Sequence, residues 1–134
     1  VRVFLDTNVL VSAFAARGLC ADLFELVLLE HDLVTGIAVL GELDTALRRK
    51  VRLAPARSKE IVDFVRAQAT DVVRDAAPAA LSVDPPDAAV LGEARDAHAE
   101  VFVTGDAALL AVGTYDDIPI LSPRQFWELL RRPL

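Results

Sequence analysis

Two short apolar runs, Val3-Phe4-Leu5 and Val101-Phe102-Val103, show no alternation of apolar and polar residues. A strand with one face in water alternates; a run that is apolar at each position suits a parallel strand buried on both faces. That restricts the chain to folds in which helices cover both sides of a sheet. The remaining sequence agrees, because segments of helical length alternate with short apolar runs from end to end, the pattern of a parallel α/β sandwich. Each of the two runs also leads into an acid. Leu5 is followed by Asp6, and Val103 by Thr104, Gly105 and Asp106. Ligands of open α/β sheets bind in the crevice beyond the carboxyl ends of the strands. The two aspartates therefore share a site if the fold sets their strands side by side.

The spacing predicts strands over 1–5, 33–35, 71–73 and 101–103, and a small edge strand over 118–120. Helices are expected at about 7–16, 20–31, 38–50, 57–69 (after a break at Pro55), 87–98, 106–111 and 123–132. Residues 76–86, with Pro78, Pro85 and Pro86, read as a loop, and Asp87 opens the next helix. No repeat, low-complexity tract or linker divides the 134 residues, so a single domain over 1–134 is expected. No apolar run approaches the ~20 residues needed to span a bilayer, and no membrane partner is expected. No signal-peptide pattern is present at the N-terminus. The lone Cys20 excludes an internal disulfide and a thiolate metal cage, and a cytoplasmic location is the economical expectation.

Four segments bring an acid to a predicted strand end or to a helix. Asp6, before Thr7 and Asn8, and Asp106, after Thr104 and Gly105, both have good helix-capping chemistry, so capping and ligand binding stand side by side for each. Glu42 is harder to explain as a cap. On the 38–50 helix Val39, Leu40, Leu43, Ala46 and Leu47 form one apolar face, and Glu42 lies about 100° from its centre. A carboxylate there borders the line where helix meets sheet; Asp44, on the other border, reads as an ordinary surface acid. Asp87 follows Asp84-Pro85-Pro86, where two prolines stiffen the approach. Crowded carboxylates repel one another, so such a set makes sense around cations. Mg²⁺ or Mn²⁺ prefers hard oxygen ligands and is held by a few carboxylates plus waters and substrate phosphate. Metal-dependent hydrolysis of a phosphodiester is the implied chemistry.

The segments Leu5-Asp6-Thr7-Asn8-Val9-Leu10-Val11-Ser12-Ala13, Gly41-Glu42-Leu43, Asp84-Pro85-Pro86-Asp87 and Val103-Thr104-Gly105-Asp106 together resemble the PIN-domain nucleases. The likeness extends to the VapC-type ribonucleases, the toxins of bacterial toxin–antitoxin pairs, and spans nearly the whole chain. The resemblance implies an RNase H-like three-layer α/β/α sandwich with a central parallel sheet and an acidic cluster binding Mg²⁺ or Mn²⁺. It maps the metal-binding and catalytic acids onto Asp6, Glu42, Asp87 and Asp106. Asn8 and Thr104 match the supporting polar residues, and Asp84 an accessory acid of the subgroup. Pro86 departs from the polar residue that relatives carry. A further acid found beyond the last aspartate in some relatives is replaced here by Ala107, Ala108, Leu109 and Leu110, leaving fewer ligands for a second ion. The implied partners are an RNA substrate, a cognate antitoxin and a second copy of the chain in a homodimer. The very apolar 21–29 helix offers a surface for either protein contact, or belongs to the core.

The net charge of −6 runs against a general nucleic-acid-binding surface, although cations held by the acids would offset part of it. Six basic residues, Arg48, Arg49, Lys50, Arg52, Arg57 and Lys59, nonetheless fall within twelve positions. Arg48, Arg49 and Arg52 are the candidate RNA contacts, with a solvated helix face as the alternative. Two rival functions remain: a PIN fold that binds RNA or protein without cutting, and a receiver-like or phosphatase-like domain whose strand-end Asp accepts a phosphoryl group. The second would want paired acids at the first strand and a lysine near the last. No Gly-x-Ser-x-Gly elbow or phosphate-cradling Gly-Lys loop is present. His31, His98, Cys20, Phe126 and Trp127 read as structural.

Overall fold

The computed structural model describes residues 1–132; Pro133 and Leu134, the end of the expected domain, lie outside them. The strands are β1 (Arg2–Leu5), β2 (Asp32–Gly36), β3 (Asp71–Val73), β4 (Val101–Val103), β5 (Thr114–Tyr115) and β6 (Ile118–Leu121). The helices are α1 (Thr7–Ala15), α2 (Leu19–Glu30), α3 (Ile37–Arg49), α4 (Pro55–Gln68), α5 (Pro85–Asp96), α6 (Ala107–Val112) and α7 (Pro123–Leu130). The sheet runs β3-β2-β1-β4-β6-β5. It is parallel except for β5, which pairs antiparallel with β6. No helix among the described residues is long and apolar enough to cross a membrane.

The absence of alternation in the central strands has the expected consequence. Val3, Phe4, Leu5, Phe102 and Val103 are all fully buried. Phe4 and Phe102 are register partners, and their rings stack at 5.5 Å. Chain order explains the layers. From β1 the chain steps outward to β2 and β3, then returns to place β4 on the other side of β1. Right-handed crossovers put the helices of the two excursions on opposite faces. Accordingly α1 packs against α2 and α3, and α3 against α4, as one layer, while α5 and α6 follow the return. The strand order reverses between β1 and β4, which is where the crevice of an open α/β sheet forms.

Three sequence expectations are corrected. The helix expected from 57 starts at Pro55, and the helix expected from Asp87 starts at Pro85. In both, proline occupies the first turn, where its missing N–H costs nothing. Asp87 thus sits inside α5, and Asp84 precedes it. The strand expected at an edge, β6, lies between β4 and β5. The sequence reading missed β5, because two residues carry no periodicity. Its turn did leave a trace: Asp116 and Asp117 both have positive φ (50° and 63°), as a two-residue hairpin turn requires, and Asp tolerates that region better than most residues.

Phe102→Ala is expected to cost about 3–5 kcal/mol, from lost transfer energy and the cavity left behind. Leu29→Ala, at a side chain 75% exposed, should stay within about 0.5 kcal/mol of wild type. Urea unfolding midpoints at constant m-value check both; similar costs would mean that the centre of the sheet is not the stabilising core.

Candidate active site

Parallel pairing of β1 with β4 aligns Leu5 with Val103, and the Asp6 amide continues the ladder by donating to the Val103 carbonyl at 2.9 Å. The acids that follow the two strands are thereby brought to the same end of the sheet. Asp6 is almost fully buried, and its carboxylate is fixed from three sides. Oδ1 accepts from the Thr7 amide (2.8 Å), and Oδ2 accepts from the Thr104 hydroxyl (2.7 Å) and the Asn8 side-chain amide (3.2 Å). Asn8 Oδ1 accepts from the Gly105 amide at 2.9 Å. Thr104 Oγ1 accepts from the Asp106 amide at 3.0 Å. Asn8 and Thr104, the two residues expected to support the site, both take part in this network.

Capping and site geometry coexist at both aspartates. Asp106 Oδ1 accepts from the Ala108 amide at 2.8 Å, capping α6, as Asp6 caps α1. No hydrogen bond occupies Asp106 Oδ2 among the described residues. Glu42 is half-buried on α3 and accepts from the Thr7 hydroxyl at 2.7 Å. Thr7 thus ties the first acid's helix to the third helix, a role the sequence reading did not assign.

Asp6, Glu42, Asp87 and Asp106 line one cleft of about 840 Å³ together with Thr7, Asn8, Arg49 and Lys50. Asp84 does not reach it. It lies beside a neighbouring cavity of about 490 Å³ that shares Asp87 as a wall. None of the ion pairs among the described residues involves any of the four acids of the cleft. The crowding has its electrostatic signature. Burial raises Asp6 above the ordinary carboxylate range, against the hydrogen bonds from Thr104 and Thr7, and the charges of Glu42 and Asp106 push it further. Asp87 is raised by burial and then by the charges of Asp106, Asp6 and Asp84.

The donor set is carboxylate oxygen throughout, which suits a hard divalent cation such as Mg²⁺ or Mn²⁺ and not a softer metal. Among the described residues no group of three or more His, Cys, Asp or Glu side chains forms a ready-made metal cage. The four acids line one cleft without converging on a point, so an ion among them would need water or substrate oxygens to complete its coordination.

The basic residues divide differently from expectation. Arg49 lines the acid cleft, joined by Lys50, which the candidate RNA contacts had omitted. Lys50 is the C-cap of α3, and helical periodicity alone would turn it about 80° from Glu42, so only the tertiary structure shows it at the cleft. Arg48 instead lies 3.7 Å from Asp44 and faces a separate groove between α3 and α4. Arg52 sits in the turn after α3 with φ of 64° and does not line the cleft. Asp44 is more than a surface acid, since it accepts from the Ser58 hydroxyl at 2.6 Å and joins α3 to α4. The largest omission is Glu93. This α5 carboxylate is 3% exposed, and it accepts from the amides of Ala38 (2.7 Å) and Val39 (3.2 Å) at the start of α3. Burial raises it as well, against those two amides, and the Glu42 charge adds to the shift.

A family model described as PIN domain matches residues 2–108. No curated protein sequence matches the chain. Among solved structures, the chain is similar to one from the crystal structure of VapBC2 from Rickettsia felis bound to a DNA fragment from their promoter. The TM-score is 0.66 at 13% identity, over 91% of this chain and 98% of that one. At that identity the likeness concerns the fold.

A pH-dependent effect on stability follows from Asp87. With its carboxyl raised in the folded protein, the native state holds a proton that the unfolded state has already lost. Stability therefore falls as pH rises from the ordinary carboxylate range through the raised value. In EDTA, Asp87→Asn should melt above wild type at pH 7, and the gap should close on acidification through that window. Thermal melts across pH test this; a wild type more stable than Asp87→Asn at neutral pH would refute the like-charge crowding.

Proposed function

The chain belongs to the PIN-domain family, and from that premise we propose that it is a metal-dependent endoribonuclease, the toxin of a toxin–antitoxin pair. The observation that carries the reading is the meeting of four acids from four segments in one cleft, at the point where strand order reverses, with none of the four in an ion pair among the described residues. Asp6, Glu42, Asp87 and Asp106 would hold Mg²⁺ or Mn²⁺. When bound, such an ion lowers the pKa of a coordinated water and stabilises charge on a phosphodiester under attack. Thr104, Asn8 and the Thr7 amide keep the Asp6 carboxylate in one orientation, so it is preorganised before substrate arrives. Arg49 and Lys50, on the lip of the same cleft, supply positive charge to phosphates flanking the scissile one.

The toxin assignment draws on the motif resemblance and on the fold shared with a chain of the VapBC2 structure. By that reading a cognate antitoxin binds over the acid cleft, the protein acts in the cytoplasm, and it pairs with a second copy. The same reading takes residues 1–134 as one PIN domain.

In an RNA cleavage assay with Mn²⁺, wild type should cut and EDTA should abolish cutting. Asp6→Asn should lower kcat by about 100-fold or more, equivalent to several kcal/mol of transition-state stabilisation. Equal rates for wild type and Asp6→Asn would refute the nuclease reading, and RNA binding without cleavage would leave a binding module. For the basic residues, Arg49→Ala and Lys50→Ala should each weaken RNA binding and reduce the slope of log affinity against log salt by about 1. Arg48→Ala and Arg52→Ala should leave that slope near wild type.

A further inference from the structure

Glu93 lies outside the acid cleft and touches none of its acids, yet it is among the most deeply buried charged groups of the protein. None of the ion pairs among the described residues includes it. Its two oxygens are taken up by the first amides of α3, whose N-terminus has no side-chain cap of its own. The cap is supplied by a different helix. A carboxylate at a helix N-terminus satisfies orphan N–H groups and is favoured by the helix dipole.

Two facts make this more than a cap. α5 carries Glu93 and, six residues earlier, Asp87; α3 carries Glu42. The contact thus joins the two helices that bring Glu42 and Asp87 to the cleft. The chain also makes room for it. Gly36, the residue before α3, packs directly on the Glu93 carboxylate, and a Cβ there would overlap the carboxylate carbon. Its backbone is ordinary extended structure with φ of −153°, so it is space and not conformation that requires glycine.

We propose that Glu93 is a positioning residue: it clamps the start of α3 onto α5 and so sets how far Glu42 stands from Asp87 across the cleft. What the positioning serves rests on the nuclease reading above, whereas the clamp itself does not. Loss of the carboxylate leaves the Ala38 and Val39 amides buried or partly buried without a partner, which frees the first turn of α3 to shift. A shift of that turn moves Glu42 relative to the other acids.

The test compares wild type with Glu93→Ala, Glu93→Gln and a buried control remote from the cleft, Val65→Ala on α4. Three quantities are read: the Mn²⁺ dissociation constant, kcat and KM on RNA, and hydrogen exchange at the Ala38 and Val39 amides. Glu93→Ala should weaken Mn²⁺ binding about 10-fold, the scale on which residues behind metal ligands act. It should lower kcat with little change in KM and speed exchange at both amides. Glu93→Gln keeps one acceptor oxygen at the same reach but sets an NH2 donor against the other amide, so it should recover part of the loss. Val65→Ala should lose stability but keep the wild-type Mn²⁺ affinity. Gly36→Ala should reproduce the Glu93→Ala defect, and combining the two should add little.

A folded Glu93→Ala with wild-type Mn²⁺ affinity, kcat and amide protection overturns the proposal. If Glu93→Ala does not fold, Glu93→Asp, one methylene too short to reach both amides, takes its place, and unchanged Mn²⁺ affinity there overturns it equally. Should wild type bind no Mn²⁺ and cut no RNA, the nuclease reading falls. The clamp is then judged on exchange at Ala38 and Val39 alone: faster exchange upholds it and unchanged exchange removes it.

Discussion

The pairing of β1 with β4 is the constraint on which the candidate site depends. These strands lie nearly a hundred residues apart in sequence, yet they are neighbours in parallel register, with Leu5 beside Val103. Parallel neighbours have their carboxyl ends at the same edge, so whatever follows each strand is delivered to one place. The Asp6 amide extends the ladder to the Val103 carbonyl, and the Thr104 hydroxyl reaches the Asp6 carboxylate across the junction. The apolar burial that holds the strands together, with Phe4 stacked on Phe102, also holds the first and last acids together. Core packing and site geometry are consequences of one interaction.

The site divides into a fixed part and an unbalanced part. Asp6 has its oxygens committed to Thr7, Asn8 and Thr104, and it cannot turn away from its neighbours without breaking those bonds. Glu42, Asp87 and Asp106 add like charges to the same cleft, and none of these acids has an ion-pair partner among the described residues. Burial and these like charges raise Asp6 and Asp87, and a folded protein retains such an arrangement only against a cost in stability. Strain of that kind concentrates at functional sites. The basic groups Arg49 and Lys50 line the same cleft.

Legibility differed from residue to residue. The strands β1 and β4 were readable because burial on both faces removes alternation, and their acids were readable because they follow directly. Glu42 was readable from its angle to an apolar helical stripe; Lys50 was not, because eight residues along a helix turn it about 80° away from Glu42. Arg48 and Arg52 do not line the cleft, because a cluster in sequence is not a cluster in space: Arg48 faces the groove between α3 and α4, and Arg52 lies in the turn beyond α3. The hairpin of β5 and β6 escaped because it is too short for a pattern, though Asp116-Asp117 marked its turn. Pro85 and Pro86 read as loop but serve as a first helical turn, where proline is tolerated.

The chain by itself determined the class of fold and the chemistry of its acids. Period and composition are local properties, and the physics that turns an unbroken apolar run into a buried parallel strand acts within a few residues. It could not determine which side chains meet. That Thr7 reaches Glu42, that Glu93 on α5 caps α3 against Gly36, and that Asp84 stays outside the cleft entered by Asp87 all depend on the relative placement of separate elements. Such placement is fixed by packing summed over the whole core, and no stretch of sequence carries that sum alone.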